Sequence, residues 1–497
     1  MDSGELAVAS YYLGVAHPTG YPLYTLLGRL FTLLPLGDVA YRLNLMSAFF
    51  GAAAAALLSA TIWLLLVNRF SANTRVGLLA STLGGLVFAY SPAFWTQSII
   101  AEVYSLHILF TSAVIFLLFL LQYSDPNSRP LYFVAVTFLA GLAFSHHSTA
   151  VLLFPAVGYY LLTFGARKYV LSVRWLSAGI AAFLSGLSPY LLLVVRNNKA
   201  PEANWGGIDS LASFLDHITG AVYRPLLLSP LDADVFQRIA AAAKLLLEQY
   251  GWLGFVAAIV GLWYISLVDR KLLAFWVVLF FSVFVFTINY SARDSEVHLL
   301  PIYLIVAMAI GNGAAFGAAA LEDLTSPSNA VKAPRRSNRR KQSRELSGFK
   351  GPLYVAVFVL CLLWVGSSAN VTAAKVDLTK DREAYDYATT TLDTLPLGAL
   401  ILTNDDSHTF SLWYLQYVIG HRRDVVVVDN RLLNWNWYQR NLKALYPSVR
   451  LEEVSGTASQ RVQKLVQNNI GDKLIFSAYR PTALSTEDAG PPFKVTQ

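Results

Sequence analysis

Long apolar runs separated by short polar loops dominate the chain. Because a helix needs about 20 apolar residues to cross a bilayer, eight runs predict membrane spans, near residues 44–67, 76–95, 99–121, 175–195, 252–268, 272–290, 299–320 and 353–370. The apolar stretch 131–164 is interrupted by Ser145-His146-His147-Ser148, so it is either one overlong helix or two short helices. The pattern predicts an α-helical polytopic membrane protein.

Basic residues in the loops favour one of these two alternatives. If 131–164 forms two helices, sixteen Lys and Arg residues lie in loops on one side of the membrane and eight on the other, whereas a single helix removes this asymmetry. Basic loops are enriched on the cytoplasmic side. The sequence therefore predicts two short helices and about ten spans in all. Both chain ends and the active site would be extracytoplasmic, and the basic linker 326–351 cytoplasmic.

Composition supports a membrane protein and explains the net charge. Hydrophobic residues make up 55% of the chain and charged residues 14%, against roughly 25% charged in soluble domains. The linker 326–351 holds eight basic residues and one acidic residue, which equals the whole net charge of +7. A basic loop between apolar spans is typical of an orientation signal or an anionic-lipid contact. We therefore expect no nucleic-acid partner.

A change of pattern marks a second domain near the C-terminus. Helical and short apolar strand patterns alternate after residue 375, with strands predicted at Ala399–Thr403 and at Asp424–Asp429, which contains four consecutive valines. This alternation indicates a small α/β domain. We therefore divide the chain into a first outer loop (1–43), a transmembrane domain (44–370) and an extracytoplasmic α/β domain (375–497).

Polar residues near the membrane edge are candidate functional groups because they are costly there. By the predicted topology they share the outer side: Asp2, Glu5, Glu102, His107, His146, His147, Asn204, Trp205, Asp209, His217, Arg293, Asp294, Glu296 and His298. The Asp2–Glu5 spacing also fits a helix capping box, and a capping carboxylate can still act as a base. The His146-His147 pair fits a helix junction equally well. It is no zinc site, because adjacent helical residues point about 100° apart.

Three blocks of sequence closely resemble one family, the protein O-mannosyltransferase-like transmembrane family. They are Asp2-Ser3-Gly4-Glu5-Leu6, then Leu13-Gly14-Val15-Ala16-His17-Pro18-Thr19-Gly20-Tyr21-Pro22, and Ala40-Tyr41-Arg42-Leu43-Asn44. Ala101-Glu102-Val103-Tyr104 and Ser145-His146-His147-Ser148 also match in order. The family has a transmembrane helix before the Asp-Ser-Gly-Glu motif, whereas this sequence begins at the motif.

The resemblance implies a GT-C fold, a catalytic carboxylate in the first outer loop and a donor sugar on a polyprenyl phosphate. Asp2 is then the expected base, and Glu5 positions or replaces it. His17 and Tyr21 are expected to orient substrate, and Arg42 and Arg293 to bind the donor phosphate. Glu102, His146 and His147 are expected to line the cavity. The expected reaction moves a sugar, mannose by family, onto a hydroxyl of a protein or glycan acceptor.

Two alternatives from other classes remain, a non-catalytic scaffold on the same fold and a lipid or sugar transporter. A transporter would carry inverted repeats and polar groups near the midplane; the sequence contains no such repeat, and its polar residues lie at one edge. No nucleotide-binding turn, phosphate loop or nucleophile elbow is present. No metal ligand set or cofactor is indicated, and metal dependence is left open.

Overall fold

The computed structural model describes residues 2–496 with internal gaps. The gaps are Ser71, Asn73, Asn198, 228–234, Arg293, 326–351, 453–454, 481–483 and 488–490. The basic linker 326–351 and Arg293, both singled out by the sequence, therefore lie outside the described residues.

Helices dominate the first 376 residues, as the apolar pattern predicts. In chain order they are α1 (Ser3–Tyr12), α2 (Pro22–Thr32), α3 (Val39–Arg69), α4 (Thr74–Ala89), α5 (Pro92–Ile99), α6 (Tyr104–Tyr123), α7 (Arg129–His146), α8 (Phe154–Thr163), α9 (Arg167–Val170), α10 (Val173–Gly186), α11 (Leu191–Arg196), α12 (Leu211–Ile218), α13 (Val235–Val268), α14 (Arg270–Ile288), α15 (Leu300–Thr325) and α16 (Pro352–Val376). Short 3-10 turns join several of them, including Ser148–Leu153 before α8 and Ser295–Leu299 before α15.

Seven helical segments of the described chain are long and apolar enough to cross a membrane. An eighth is formed if α4 and α5, which meet at a bend of 66°, count as one span. The stretch 131–164 is broken at His147, where α7 ends and the 3-10 turn leads into α8. Two short helices therefore replace one overlong helix, as the loop charges predict.

The outer surface of the helical bundle is apolar, as expected of a multi-pass membrane protein. Large apolar side chains on α10 and α13 are exposed, for example Leu184 and Trp252. In lipid such exposure costs nothing, whereas in water it would mark an aggregation site. Helix α13 breaks at Gly251, whose φ of 60° favours glycine. The break falls at the predicted start of the span 252–268.

The C-terminal domain is a small α/β unit, as predicted. Its helices are α17 (Glu383–Thr394), α18 (Asp406–Trp413), α19 (Asn436–Leu445) and α20 (Ala458–Asn469), and its strands are β1 (Leu400–Thr403), β2 (Val426–Asp429), β3 (Ile475–Ser477), β4 (Ser485–Thr486) and β5 (Phe493–Thr496). The strand order is β2-β1-β3-β5-β4. Strand β1 runs parallel to β2 and β3, and β5 pairs antiparallel with β3 and β4. Every residue of β1 and β2 is buried, which explains their unbroken apolar sequences.

The C-terminal domain packs directly on α1, and the two share one hydrophobic core. Leu6 and Val8 of α1 belong to the same buried cluster as the residues of β1 and β2. Helix α18 approaches α1 so closely that a Cβ on Gly4 would collide with the Phe410 carbonyl oxygen. Position 4 therefore requires glycine. This contact fixes the start of α1, where the candidate carboxylates lie.

Candidate active site at the start of α1

Asp2 does not cap α1 with its side chain. Its carboxylate makes no capping hydrogen bond, and its backbone N–H donates to Glu102 Oε1 at 3.3 Å. The side chain is 37% exposed, with Oδ2 3.6 Å from His17 Nε2. The capping-box interpretation of the Asp2–Glu5 spacing is therefore wrong in this structure. The Asp2 carboxylate is left accessible beside an imidazole.

Glu5 is buried, and its carboxylate is directed to His17. Its Oε1 accepts a hydrogen bond from the His17 backbone N–H at 3.1 Å, and its Oε2 lies 3.0 Å from His17 Nδ1. Only 1% of the Glu5 side chain is exposed. The turn from Leu13 to Tyr21 must fold back over α1 for this contact, so spacing along the helix alone could not predict it.

His17 carries a proton at neutral pH because two carboxylates flank its ring. Burial disfavours the charged ring, but the charges of Glu5 and Asp2 and the hydrogen bond to Glu5 outweigh it and raise the pKa of His17 to about 9. Burial raises the pKa of Glu5, and the adjacent His17 opposes that shift. A protonated His17 cannot accept a further proton. It can orient Asp2 and offset negative charge.

Glu102 completes the group of carboxylates but is almost fully buried. Burial and the nearby Asp2 carboxylate raise its pKa. The neighbouring Val103 carbonyl accepts a hydrogen bond from His146 Nε2 at 2.9 Å. His146 is fully buried and packs between Tyr24 and Phe110. It therefore holds the Glu102 loop in place and does not face an open cavity.

His147 differs from His146, because its ring joins an aromatic cluster next to the carboxylates. The backbone N–H of Thr149 donates to His147 Nδ1 at 3.3 Å. Its ring centroid lies 5.5 Å from that of Tyr21, which in turn lies 5.0 Å from His17. Of the two adjacent histidines, only His147 therefore contacts the ring beside His17.

Arg42 is occupied by backbone carbonyls. Its guanidinium donates to the carbonyl oxygens of Thr32, Leu36 and Gly37 at 2.6 to 2.9 Å. These bonds satisfy carbonyls at the end of α2 and in the turn after it. The predicted contact of Arg42 with a phosphate would require some of these bonds to break. Arg293, the other arginine predicted to bind phosphate, lies outside the described residues.

A distant loop supports the turn that carries His17. Arg196 donates to the carbonyls of Tyr12 and Leu13 at the end of α1, both at 2.7 Å. The Val15 N–H donates to the Ala203 carbonyl at 2.7 Å, and the Trp205 N–H donates to the Val15 carbonyl at 3.0 Å. Arg196 and the segment 203–205 therefore fix the position of the His17 turn.

Aromatic residues line the site, and of these the sequence indicated Trp205 only by its place in an outer loop and gave Tyr104 and Trp437 no role. The Trp205 ring lies 5.9 Å from His17 and 5.5 Å from Trp437 of the C-terminal domain. The ring of Tyr104 lies 5.8 Å from His147 and 6.0 Å from His298. Tyr104 stands in the matched block Ala101–Tyr104, which could have identified it. Trp205 lies in no such block.

No group of three or more His, Cys, Asp or Glu side chains within the described ranges is arranged to hold a metal ion. The site consists of the carboxylates of Asp2, Glu5 and Glu102 around the His17 imidazolium, with aromatic rings on either side.

The arrangement of the whole chain is that of GT-C enzymes. ArnT from Cupriavidus metallidurans, solved bound to undecaprenyl phosphate, matches with a TM-score of 0.55 and 14% identity over 92% of each chain. An oligosaccharyltransferase from Archaeoglobus fulgidus, in complex with Zn and sulfate, matches with a TM-score of 0.51 and 11% identity. That match covers 96% of this chain and 63% of that one. At such identities the similarity shows the fold: the chain is a polytopic membrane protein of the GT-C type.

Two stretches of the sequence match models of one family. Residues 2–170 match the family described as "Protein O-mannosyl-transferase TMEM260 N-terminal domain", and residues 384–459 match "TMEM260-associated domain 2". Over these two stretches the chain is similar to the protein O-mannosyltransferase-like transmembrane family, the family that its N-terminal motifs resemble.

Curated members of this family are considerably longer than the chain. Protein O-mannosyl-transferase TMEM260 of Mus musculus is 29% identical over 90% of this chain, and its namesake in Dictyostelium discoideum is 26% identical over the same share. The chain spans 62% of the mouse protein and 56% of the Dictyostelium protein.

Proposed function

We propose that the chain is a membrane glycosyltransferase that moves a sugar, mannose by family, from a polyprenyl-phosphate donor to a protein hydroxyl on the extracytoplasmic side. Support comes from the names of the two relatives and from the undecaprenyl phosphate bound to ArnT, which shares the fold. A non-catalytic scaffold and a transporter on the same fold are the alternatives.

One observation carries the proposal: of the three clustered carboxylates, only that of Asp2 is accessible. Glu5 is buried against His17, and Glu102 is buried with a raised pKa. Asp2 can therefore reach an acceptor hydroxyl, while the His17 imidazolium orients its carboxylate. A general base must lie within hydrogen-bond reach of the proton that it removes.

The proposed reaction is a single displacement. Asp2 removes the acceptor hydroxyl proton as the acceptor oxygen forms a bond to the anomeric carbon of the sugar. The bond between that carbon and the phosphate oxygen breaks, and the lipid phosphate leaves with the electron pair. His17, already protonated, balances part of the negative charge that Asp2 and the phosphate bring together. Attack from the face opposite the phosphate inverts the anomeric configuration.

The C-terminal domain is proposed to hold the acceptor rather than to take part in the chemistry. A cleft between it and the loop 201–205 is lined by Trp205, Trp437 and Asn441, and Trp205 contacts His17. The acidic residues that open α18 are engaged elsewhere: Asp405 caps the helix, and Asp406 pairs with Arg431 at 2.6 Å. Aromatic faces and amides at the edge of the site suit a polypeptide segment or a glycan.

A transfer assay without sugar nucleotides tests the proposed function. Purified protein in detergent, given polyprenyl-phosphate mannose and a peptide rich in Ser and Thr, is expected to form mannosylated peptide. GDP-mannose in place of the lipid donor is expected to give none, because no nucleotide-binding motif is present. Binding of the lipid donor without transfer or hydrolysis would support the scaffold or transporter instead.

The side of the membrane is tested separately by cysteine labelling. In a Cys361→Ala background, we expect Leu397→Cys in the C-terminal domain, 87% exposed, to react with an impermeant maleimide in intact cells. The matched Asn127→Cys, in the exposed loop between α6 and α7, should react only after lysis. The reverse labelling pattern would contradict the proposed orientation.

A further inference from the structure

We propose that the cavity lined by Tyr104, His107, Thr149 and His298 binds the phosphate group of a lipid phosphate. This inference rests on the proposed function and assigns the donor phosphate to residues other than the two arginines that the sequence indicates.

The cavity has an amphiphilic lining. The four polar side chains above share its wall with Leu152, Leu153, Val283, Val297 and Pro301. These residues come from α6, from the turn before α8, from α14 and from the start of α15. Among the described residues that line it, none is a lysine or an arginine. A ligand with a polar head and an apolar chain suits this lining better than a free ion does.

An unsatisfied donor or acceptor at His107 is the strongest sign of a ligand. His107 is 6% exposed, and its Nδ1 is buried without a hydrogen-bond partner among the described residues. A buried polar atom left unpaired is costly, so such atoms in folded proteins usually have a protein, water or ligand partner. A phosphate oxygen in the cavity would accept a hydrogen bond from the Nδ1–H tautomer of this ring.

A hydrogen bond fixes the tautomer of His147, whose ring lies next to His107. Because the Thr149 N–H donates to His147 Nδ1, the proton of the neutral His147 ring is on Nε2. The His147 ring lies 5.1 Å from His107 and 6.0 Å from His298. The His147 ring therefore packs against both histidines of the cavity wall, His107 and His298.

The position of the cavity fits a phosphate that leaves during sugar transfer. A single aromatic ring, Tyr21, lies between His147 and His17, and His17 contacts Asp2. The sugar of a bound lipid phosphate would therefore reach the carboxylates while its phosphate stays with the histidines. Arg42 was expected to bind the donor phosphate, but its guanidinium already donates to three carbonyls.

Lipid-phosphate binding by full-length protein tests the inference. Affinity for undecaprenyl phosphate is measured in detergent for the wild type, His107→Leu, His298→Leu and the control His408→Leu, whose ring stacks on Tyr387 in the C-terminal domain. Since a hydrogen bond to a charged group contributes about 1.5–3 kcal/mol, each cavity variant should bind at least about tenfold more weakly. The control should bind like wild type, and undecaprenol and inorganic phosphate should bind far more weakly than the lipid phosphate.

Each outcome decides between the claims. Wild-type affinity in both His107→Leu and His298→Leu would overturn this phosphate site and leave the proposed function intact. Equal binding of inorganic phosphate would make the cavity a free-anion site. If wild type binds no lipid phosphate, the donor class itself fails, and the transfer assay fails with it. If His107→Leu does not fold, phosphate binding is tested with two other variants. These are His298→Leu and His107→Gln, which keeps a hydrogen-bond donor at position 107.

Discussion

Purified Asp2→Asn protein is expected to keep its fold and to transfer sugar at least about a hundredfold more slowly than wild type. General-base catalysis typically contributes 10²- to 10⁴-fold, which corresponds to roughly 3–5 kcal/mol at the transition state. Asparagine is nearly isosteric with aspartate, but it cannot accept a proton at neutral pH. Asp2 makes no capping bond through its side chain, so the substitution removes the base and its charge beside His17 but no helix cap.

Donor binding and transfer must be measured on the same preparation of Asp2→Asn. Unchanged affinity for the lipid donor, together with an unchanged thermal midpoint, would assign the loss to chemistry. Glu102→Gln is the matched control, because Glu102 is a buried carboxylate of the same cluster, and it should lose less activity. Near-normal turnover in Asp2→Asn would contradict the assignment, and loss only in Glu102→Gln would move the base there.

Breaking the buried Glu5–His17 pair is expected to destabilise the protein strongly. Removing one partner of a buried ion pair typically costs roughly 3–5 kcal/mol, because the other charge is left without compensation. Glu5→Ala should therefore lower the free energy of unfolding by about that amount. The double variant Glu5→Ala/His17→Ala should cost less than the sum of the two single variants. The exposed pair Asp393–His421, at 2.7 Å, is the control, and Asp393→Ala should cost at most about 1 kcal/mol.

The same pair predicts a pH dependence of stability. Folding raises the pKa of His17 to about 9, above its ordinary value of roughly 6.5. The folded state therefore binds this proton more tightly than the unfolded state. The stabilisation is complete below the unfolded pKa and is lost as pH rises through the folded pKa.

Unfolding in detergent should be compared between two proteins, the single variant Glu102→Gln and the double variant Glu5→Gln/Glu102→Gln. The shared Glu102→Gln substitution removes the other buried carboxyl of the cluster. The stability difference should be largest near pH 6 and should shrink by pH 10. A difference that stays constant across this range would show that the pair is not ionic.

The apolar pattern predicted about ten spans, and seven or eight helical segments of the described chain are long and apolar enough to cross a membrane. Most spans could be predicted because each is determined by local composition. The break at His146-His147 and the start of a span after Gly251 were both predicted from sequence, from loop charges and from apolar length. The parallel strands β1 and β2 were predicted too, because complete burial leaves an unbroken apolar run. Such features depend on residues close in sequence.

The site was predicted only in part, because its contacts join segments that are distant in sequence. The pattern indicated that Glu5 caps α1, whereas the turn around His17 folds back and takes its carboxylate. Arg42 suggested a phosphate ligand, but the carbonyls at the end of α2 occupy it. His146 and His147 are adjacent in sequence, yet one holds a backbone carbonyl and the other joins the ring cluster. None of these outcomes follows from residue type or spacing.

The anomeric configuration of the product tests the central claim most directly. Wild-type protein is given polyprenyl phosphate that carries mannose in the β configuration and an acceptor peptide, with no sugar nucleotide present, and the linkage formed is read by NMR. A single displacement with Asp2 as base predicts an α-linked mannose on the peptide hydroxyl and almost no product from Asp2→Asn. A β-linked product, or equal amounts of product from both proteins, would contradict the account.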